Sequence, residues 1–479
     1  MLDSLLWLTL MCWSVVTASH ALLTKRDPRA ALIWILLCFT LPGVGALLYW
    51  VLGVNRIRTR AKDLKDLKIA LTDRPWPEPN VCHWAPRLAL DPIFLHENYH
   101  SLHALADGVT RRPLVSGNVV VPMFNGEQAY PAMLEAIAGA REMILLSTYI
   151  FGSGKTGKQF VAALEAAAER GVKVKVLIDA LGERYSFPPT RRYFKHPKLQ
   201  VVRFLPFSPF GRGMNFNLRN HRKLLVVDGR IGFTGGMNIA DRHLAADVKN
   251  PTRTSDVHFR IEGPVVAQLQ EAFSEDWSFS ARERIPKPEY PPVAKGGEAY
   301  CRGISAGPNE DYDKLMWILI GACNSARHHL RIMTPYFVPE RPLIAAINSA
   351  ALRGVDVEIL LPVKNNLPFV AWATRAYLWE MLQHGTKIYY QPSPFAHSKL
   401  LLVDHHYALV GSANLDPRSL RLNFEFNLEV YDRGLNHKLA AHFDQTRQQS
   451  KQITLNEIDS RPLALKLLDS FVKLFSPYL

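Results

Sequence analysis

One pattern occurs twice in the chain, and it restricts the possible folds more than any other feature. The first copy reads Asn220-His221-Arg222-Lys223-Leu224-Leu225-Val226-Val227-Asp228, then six residues, then Gly235-Gly236-Met237-Asn238. The second reads His397-Ser398-Lys399-Leu400-Leu401-Leu402-Val403-Asp404, then six residues, then Gly411-Ser412-Ala413-Asn414, with every matched position 176 residues further on. Four apolar residues between Lys and Asp read as a buried strand. Residues i and i+2 of a strand share a face, so His and Lys point together from its start. The Gly-Gly or Gly-Ser turn that follows lets an Asn side chain return to the same place.

The repeat is wider than the motif. Lys158–Arg170 reads as a helix stopped by Gly171 and followed by a strand, Val172–Ile178; Pro342–Leu352, Gly354 and Val355–Leu361 repeat that order. Tyr149-Ile150-Phe151 is echoed by Tyr336-Phe337-Val338. Helix and strand alternating in two copies predict two similar α/β sandwich halves related by a pseudo-two-fold, over 118–286 and 298–479. The Pro- and Gly-rich run 287–297 joins them, and 61–117 reads as a polar linker region.

A phosphodiester needs a nucleophile, a proton donor for the leaving oxygen, and cations or amides on its non-bridging oxygens. One neutral imidazole supplies the nucleophile and a second the acid. Lys223, Lys399, Asn238 and Asn414 are candidates to hold the phosphate, with Ser412 adding a hydroxyl that Gly236 lacks in the first copy. Neither half has two such histidines, so the site is expected where the halves meet. The scheme calls for no cofactor and no metal. His405-His406 has no third ligand in view and reads as a turn.

Before the repeat, Ser4–Thr24 and Ala30–Val54 are free of charged residues, separated by Lys25-Arg26-Asp27-Pro28-Arg29. About 18–20 such residues cross a bilayer as a helix, which predicts a membrane-anchoring hairpin over 1–60. Pro42-Gly43 falls midway along the second stretch and predicts a kink or re-entrant turn. Arg56, Arg58, Arg60, Lys62, Lys65 and Lys68 follow it, which places the bulk of the chain in the cytoplasm. The excess of 57 Lys+Arg over 43 Asp+Glu, a net +14, suits an anionic membrane surface or nucleic acid, and the hairpin favours the membrane. Five scattered cysteines, none in a CxxC pair, read as free thiols in a reducing compartment. Near the end, Leu467, Leu468, Phe471, Leu474 and Phe475 share one helical face, which either lies on the membrane or packs on the core.

The doubled motif, together with Thr334-Pro335-Tyr336-Phe337-Val338-Pro339, Asn414-Leu415-Asp416-Pro417-Arg418-Ser419 and Leu422-Asn423-Phe424-Glu425, resembles the phospholipase D superfamily. With the hairpin, it is similar to the bacterial cardiolipin synthases. The resemblance implies that His221 is the nucleophile and His397 the acid and then the base. Asp228 and Asp404 become structural partners of the strand turn. It also implies an acid further along from each histidine that orients it, for which Asp256 and Glu425 are the candidates. The implied reaction moves a phosphatidyl group from one phosphatidylglycerol to another through a phosphohistidine, giving cardiolipin and glycerol at the bacterial inner membrane. Anionic phospholipids, phosphatidylglycerol and cardiolipin, are then the partners, and nucleic acid is not. A lipid-hydrolysing phospholipase D, a nuclease of the same superfamily and a non-catalytic scaffold are the competing readings, and oligomeric state is not readable.

Overall fold

Leu2–Thr24 holds neither Gly nor Pro and forms one helix of 23 residues, roughly 34 Å at 1.5 Å per residue. In this computed structural model the described residues are 2–25, 28–53, 97–206, 218–286, 289–307 and 313–476. The chain divides into two units, residues 1–66 and 67–479.

In the first unit the long helix turns large apolar side chains outward (Leu5, Trp7, Val16, Leu22) and buries a seam of small ones, Ser14, Thr17, Ala18 and Ala21. Among the described residues it is the one helix long and apolar enough to cross a membrane. The second apolar stretch is not a single span. Pro28–Thr40 is helical for 13 residues, the chain turns at Pro42-Gly43, and Val44–Leu48 runs on into a π-helical turn, Tyr49–Gly53. Gly43 has φ 81°, and a Cβ there would lie 2.7 Å from Leu10 Cδ2, so this break needs glycine. Polar contacts hold the returning segment to the first helix: Trp50 Nε1 donates to Thr17 Oγ1 (3.0 Å), and the Tyr49 hydroxyl meets His20 Nδ1 (2.7 Å) and Thr24 Oγ1 (3.3 Å). The cationic run at 56–68 and Cys82 lie outside the described residues.

The second unit is built on one 16-stranded sheet whose strand order is almost a palindrome. From the centre of the first half outward the strands are Val115–Phe124, Val257–Glu262, Ile231–Gly235, Leu224–Val227, Met143–Thr148, Lys173–Asp179 and Gln200–Phe204. The second half runs Ala299–Ala306, Asn423–Tyr431, Tyr407–Gly411, Leu400–Val403, His329–Met333, Asp356–Pro362 and Lys387–Gln391, with Lys451–Ile453 added at the edge. Val115–Phe124 pairs antiparallel with Ala299–Ala306, which places the pseudo-two-fold between the two motif copies. Each half has its own apolar cluster under its helices, and a third cluster draws on both halves, with Phe273 and Trp277 packed beside Phe426 and Phe443.

One boundary differs from the sequence reading. Residues 61–96 lie outside the described residues, but the rest of the region read as a linker is folded. His100–Thr110 is a helix that buries Leu102 and Ala106 in the core of the second half, and the first strand begins at Val115. The polar face of that helix hid its apolar stripe. At the other end, Leu463–Lys473 docks on the helix Pro368–Leu382 with Asp469 and Val472 buried. Cys12, Cys38, Cys301 and Cys323 are unpaired thiols.

Candidate active site

Each motif histidine hangs from the opposite half. Arg219–Asn220 pairs in parallel with Asn423–Phe424, and the next amide, His221 N–H, donates to Phe424 O (2.9 Å). Reciprocally, Phe395–Ala396 pairs in parallel with Thr254–Ser255, and His397 N–H donates to Ser255 O (2.8 Å). The residue after Phe424 is Glu425 and the residue after Ser255 is Asp256. The backbone pairing therefore delivers an acid from one half to the histidine of the other.

The acids are accordingly crossed. His221 Nδ1 lies 3.0 Å from Glu425 Oε1 and 3.1 Å from Oε2; His397 Nδ1 lies 2.7 Å from Asp256 Oδ2. The reading in which each histidine takes the acid further along its own copy needs this correction, since strand order cannot reveal which acid crosses over. With Nδ1 held by a carboxylate, Nε2 is the nitrogen of each ring left for chemistry, and that of His397 also lies 3.1 Å from Lys399 Nζ.

Burial is nearly complete and sets the charges. The His221 ring is held below its ordinary pKa by burial, against the pull of Glu425. His397 is held well below by burial, reinforced by Lys399 and Lys223. Burial pushes Asp256 up. Burial acts on Glu425 in the same sense but is outweighed by His221, Lys223 and the Ser412 hydroxyl, so Glu425 stays below the usual glutamate range. Burial also brings Lys223 down to about 7 and Lys399 down to about 8. Both ammonium groups are anchored on their own histidine: Lys223 Nζ donates to His221 O (2.7 Å) and Lys399 Nζ to His397 O (2.6 Å).

Asp228 and Asp404 occupy equivalent turns, with φ 51° and 49°. The Asp228 carboxylate accepts the amides of Arg141, Glu142 and Met143; that of Asp404 accepts those of Arg327, His328 and His329. They tie the strand turn and do not face the pocket. Asn238 Oδ1 accepts from Ile150 N–H (3.0 Å), and Asn414 Nδ2 donates to Ser419 Oγ (3.1 Å). Ser412 is a second correction. Its hydroxyl donates to Glu425 Oε2 (2.5 Å) and accepts Phe426 N–H (3.0 Å), so it is spent on the acid and has no reach to a phosphate. In the first copy a Cβ at Gly236 would lie 2.4 Å from Asp256 Oδ1; the glycine makes room for the carboxylate rather than removing a phosphate contact.

His221, His397, Asn238 and Asn414 all line one cavity of about 850 Å³ at the junction of the halves, with Tyr149 and Tyr336 from the echoed Tyr-x-x segments. Arg219, Arg242, Lys364 and Arg418 make its wall basic. His243 also lines it and was missed in the sequence. Its ring centroid is 6.2 Å from that of His397, and its Nε2 accepts Asn238 N–H (3.3 Å), which leaves the proton on Nδ1. That Nδ1 is buried without a hydrogen-bond partner. His243 stands five residues after Asn238 as Ser419 stands five after Asn414, so carrying the repeat past its last Asn would have found it.

The comparisons with known proteins bear on this geometry. The family described as cardiolipin synthase, phospholipase D-like domain matches residues 133–277 and again 319–447, one match per half. A phospholipase D-nuclease N-terminal family matches residues 7–53. A cardiolipin synthase A of Pseudomonas putida strain KT2440 is 31% identical over 97% of this chain and 95% of its own length. Cardiolipin synthase 2 of Staphylococcus epidermidis is 32% identical over 95% and 93%. The crystal structure of phosphatidylserine synthase from Haemophilus influenzae Rd KW20 superimposes with a TM-score of 0.61 at 17% identity, covering 79% of this chain and all of that one, a likeness of fold. Fold and paired motifs thus define a phosphatidyltransferase built from two phospholipase D-like halves. The chain belongs to the cardiolipin synthase family, and its apolar N-terminal helix is that of a membrane-associated member.

Proposed function

We propose that the chain joins two phosphatidylglycerol molecules into cardiolipin, with glycerol released, and that His221 carries the phosphatidyl group between the two steps. The observation that carries this reading is the crossed pair of histidine–carboxylate contacts opening on one basic cavity. His221 Nε2 attacks phosphorus, the bond from phosphorus to the glycerol oxygen breaks, and His397 gives that oxygen its proton. The hydroxyl of a second phosphatidylglycerol then loses its proton to His397 and attacks the same phosphorus, which frees His221. In the free enzyme burial keeps His397 neutral. The negative charge of the arriving phosphodiester favours its protonated form, as it does for Lys223 and Lys399.

The two acids support giving the nucleophile's role to His221. A phosphorylated imidazole keeps its Nδ1 proton on its carboxylate, and Glu425 is the acid held charged. Asp256, pushed up by burial, suits a ring that takes and returns a proton. Asn238, Asn414 and His243 line the cavity, and this reading gives the phosphate oxygens to these three together with Lys223 and Lys399, whose ammonium groups sit beside the histidines. Asp228 and Asp404 act by holding the motif turns. In this reading the first unit anchors the enzyme in the inner membrane with its catalytic unit in the cytoplasm. Purified protein given labelled phosphatidylglycerol tests the proposal: cardiolipin plus glycerol is expected, and phosphatidic acid plus glycerol as the main products would make it a hydrolase instead.

A further inference from the structure

The helix Leu463–Lys473 is amphipathic the wrong way round for a helix packed on a soluble core. Leu463, Leu467, Phe471 and Leu474 recur at helical spacing and are 72%, 60%, 59% and 72% exposed. The side turned to the protein carries the buried Asp469, which takes the guanidinium of Arg375 (3.0 Å) and that of Arg461. Beside it, Lys473 Nζ sits 4.1 Å from the centre of the Tyr377 ring. Polar contacts hold the helix in place while its apolar face is left in water. That is an arrangement a surface helix adopts when the other side meets something apolar.

The patch is joined to the active-site mouth. Val472 packs with Val338, Val370 and Ala373 in one cluster, and Val370 lines the catalytic cavity. On the same docking helix, Leu367 and Phe369 stand at the cavity rim, 46% and 59% exposed, next to Lys364. We infer that the apolar face of Leu463–Lys473, continued by Leu367 and Phe369, is the surface by which the catalytic unit lies in an anionic lipid bilayer and brings its pocket to the headgroups. This rests on the reading of the substrates as bilayer lipids, whose acyl chains stay in the membrane while the headgroup reacts. Charge agrees, with a basic cavity wall and Lys466 on the helix. Area argues against a second copy of the chain as the occupant. Eleven residues of helix, about 16 Å long and 10 Å wide, present roughly 160 Å², where a stable dimer buries about 800 Å² per partner.

The test uses the full chain with Cys12 and Cys82 replaced by Ser and an environment-sensitive fluorophore on Leu467→Cys or, as control, on Lys438→Cys. The proteins are reconstituted into vesicles of phosphatidylglycerol and phosphatidylcholine, the latter brominated on its acyl chains. Quenching at 467 and not at 438 is expected; equal quenching at both, or none at 467, overturns the inference. Independently, the double variant Leu467→Asp/Phe471→Asp is expected to lose roughly tenfold or more in cardiolipin formation on vesicles while staying within about twofold in detergent micelles. Equal activity of the variant on vesicles overturns the proposal, as does a dimer of the unaltered chain in detergent that the two substitutions dissociate. If the unaltered chain makes no cardiolipin in micelles, the reading of the substrates fails, and the quenching at 467 still decides the surface.

Discussion

The two halves share a motif and a sheet order, yet the acids that hold the two histidines have different surroundings. In the first half Gly236 lies against the carboxylate of Asp256, and a side chain there would strike it. In the second, Ser412 puts a hydroxyl on Glu425, and Asn423 Nδ2 adds another donor to the same acid (3.1 Å). Because the acids cross over, the first-half histidine inherits the buried but well hydrogen-bonded glutamate and the second-half histidine the less compensated aspartate. The difference is small in sequence: Ser412 for Gly236, Glu425 for Asp256 and Asn423 for Thr254. Its effect on charge is to hold one carboxylate ionised and push the other up. A duplicated fold thereby supplies two unlike tools from one pattern.

The largest effect should come from the histidines themselves. His221→Asn is expected to lower turnover by about 10³-fold or more and to abolish any covalent phosphate on the protein. His397→Asn should lower turnover similarly but still trap phosphatidyl-enzyme from a substrate whose leaving group needs no proton. Trapping in the His221 variant alone would reverse the two roles.

Removing the asymmetry at the turns comes next. Gly236→Ser should displace Asp256 from His397 and cost roughly tenfold or more in kcat, because its Cβ has no room. Ser412→Gly removes only one donor from Glu425, a loss of about 1–2 kcal/mol, or roughly tenfold, in the step that uses His221. Equal effects of the two changes would mean that the turns do not differentiate the acids.

His243→Phe keeps an aromatic side chain and removes the free Nδ1–H together with the acceptor of Asn238 N–H. A rise in KM of a few-fold with modest change in kcat is expected if that proton holds the substrate phosphate, as a neutral hydrogen bond of about 0.5–1.5 kcal/mol would. No change in either constant would remove His243 from the phosphate site.

The smallest signature is in pH. His221 must be neutral to attack, and its lowered pKa keeps it so below the ordinary value of 6.5, so the acid limb of kcat/KM should fall under that value. Lys223 and Lys399 must be charged to receive a phosphate. As pH rises through about 7 and then about 8 they lose their protons in the free enzyme, and kcat/KM should decline there. A profile flat to pH 9 would show that the lysines are not needed in charged form.

What could be read from the sequence was what repeats. The His, Lys, Asp and Asn positions recur at a fixed interval of 176 residues, the α/β order recurs around them at somewhat longer offsets, and the strand-turn rule placed His and Lys together. The crossing of Glu425 and Asp256 was not legible, because it depends on the two-residue pairings of Arg219–Asn220 and Phe395–Ala396 with the other half. Ser412 was assigned to the phosphate since a hydroxyl beside an Asn looks like a ligand; only the fold shows Glu425 in front of it. Pro42-Gly43 announced the break in the second apolar stretch, whereas the helix His100–Thr110 was missed within a polar region, since on that helix only Leu102 and Ala106 are apolar side chains fully buried against the second half.

The most direct test of crossed acids is the rate at which His221 is loaded, measured in a single turnover with a phosphatidyl donor whose leaving group needs no proton. Glu425→Gln should slow that loading by about 10²- to 10⁴-fold, since the amide no longer holds the reactive tautomer or balances the charge that develops on the ring. Asp256→Asn should leave it within a few-fold and impair only the steps that pass a proton through His397. If Asp256→Asn slows the loading and Glu425→Gln does not, each histidine works with the acid of its own half, and the crossed site is wrong.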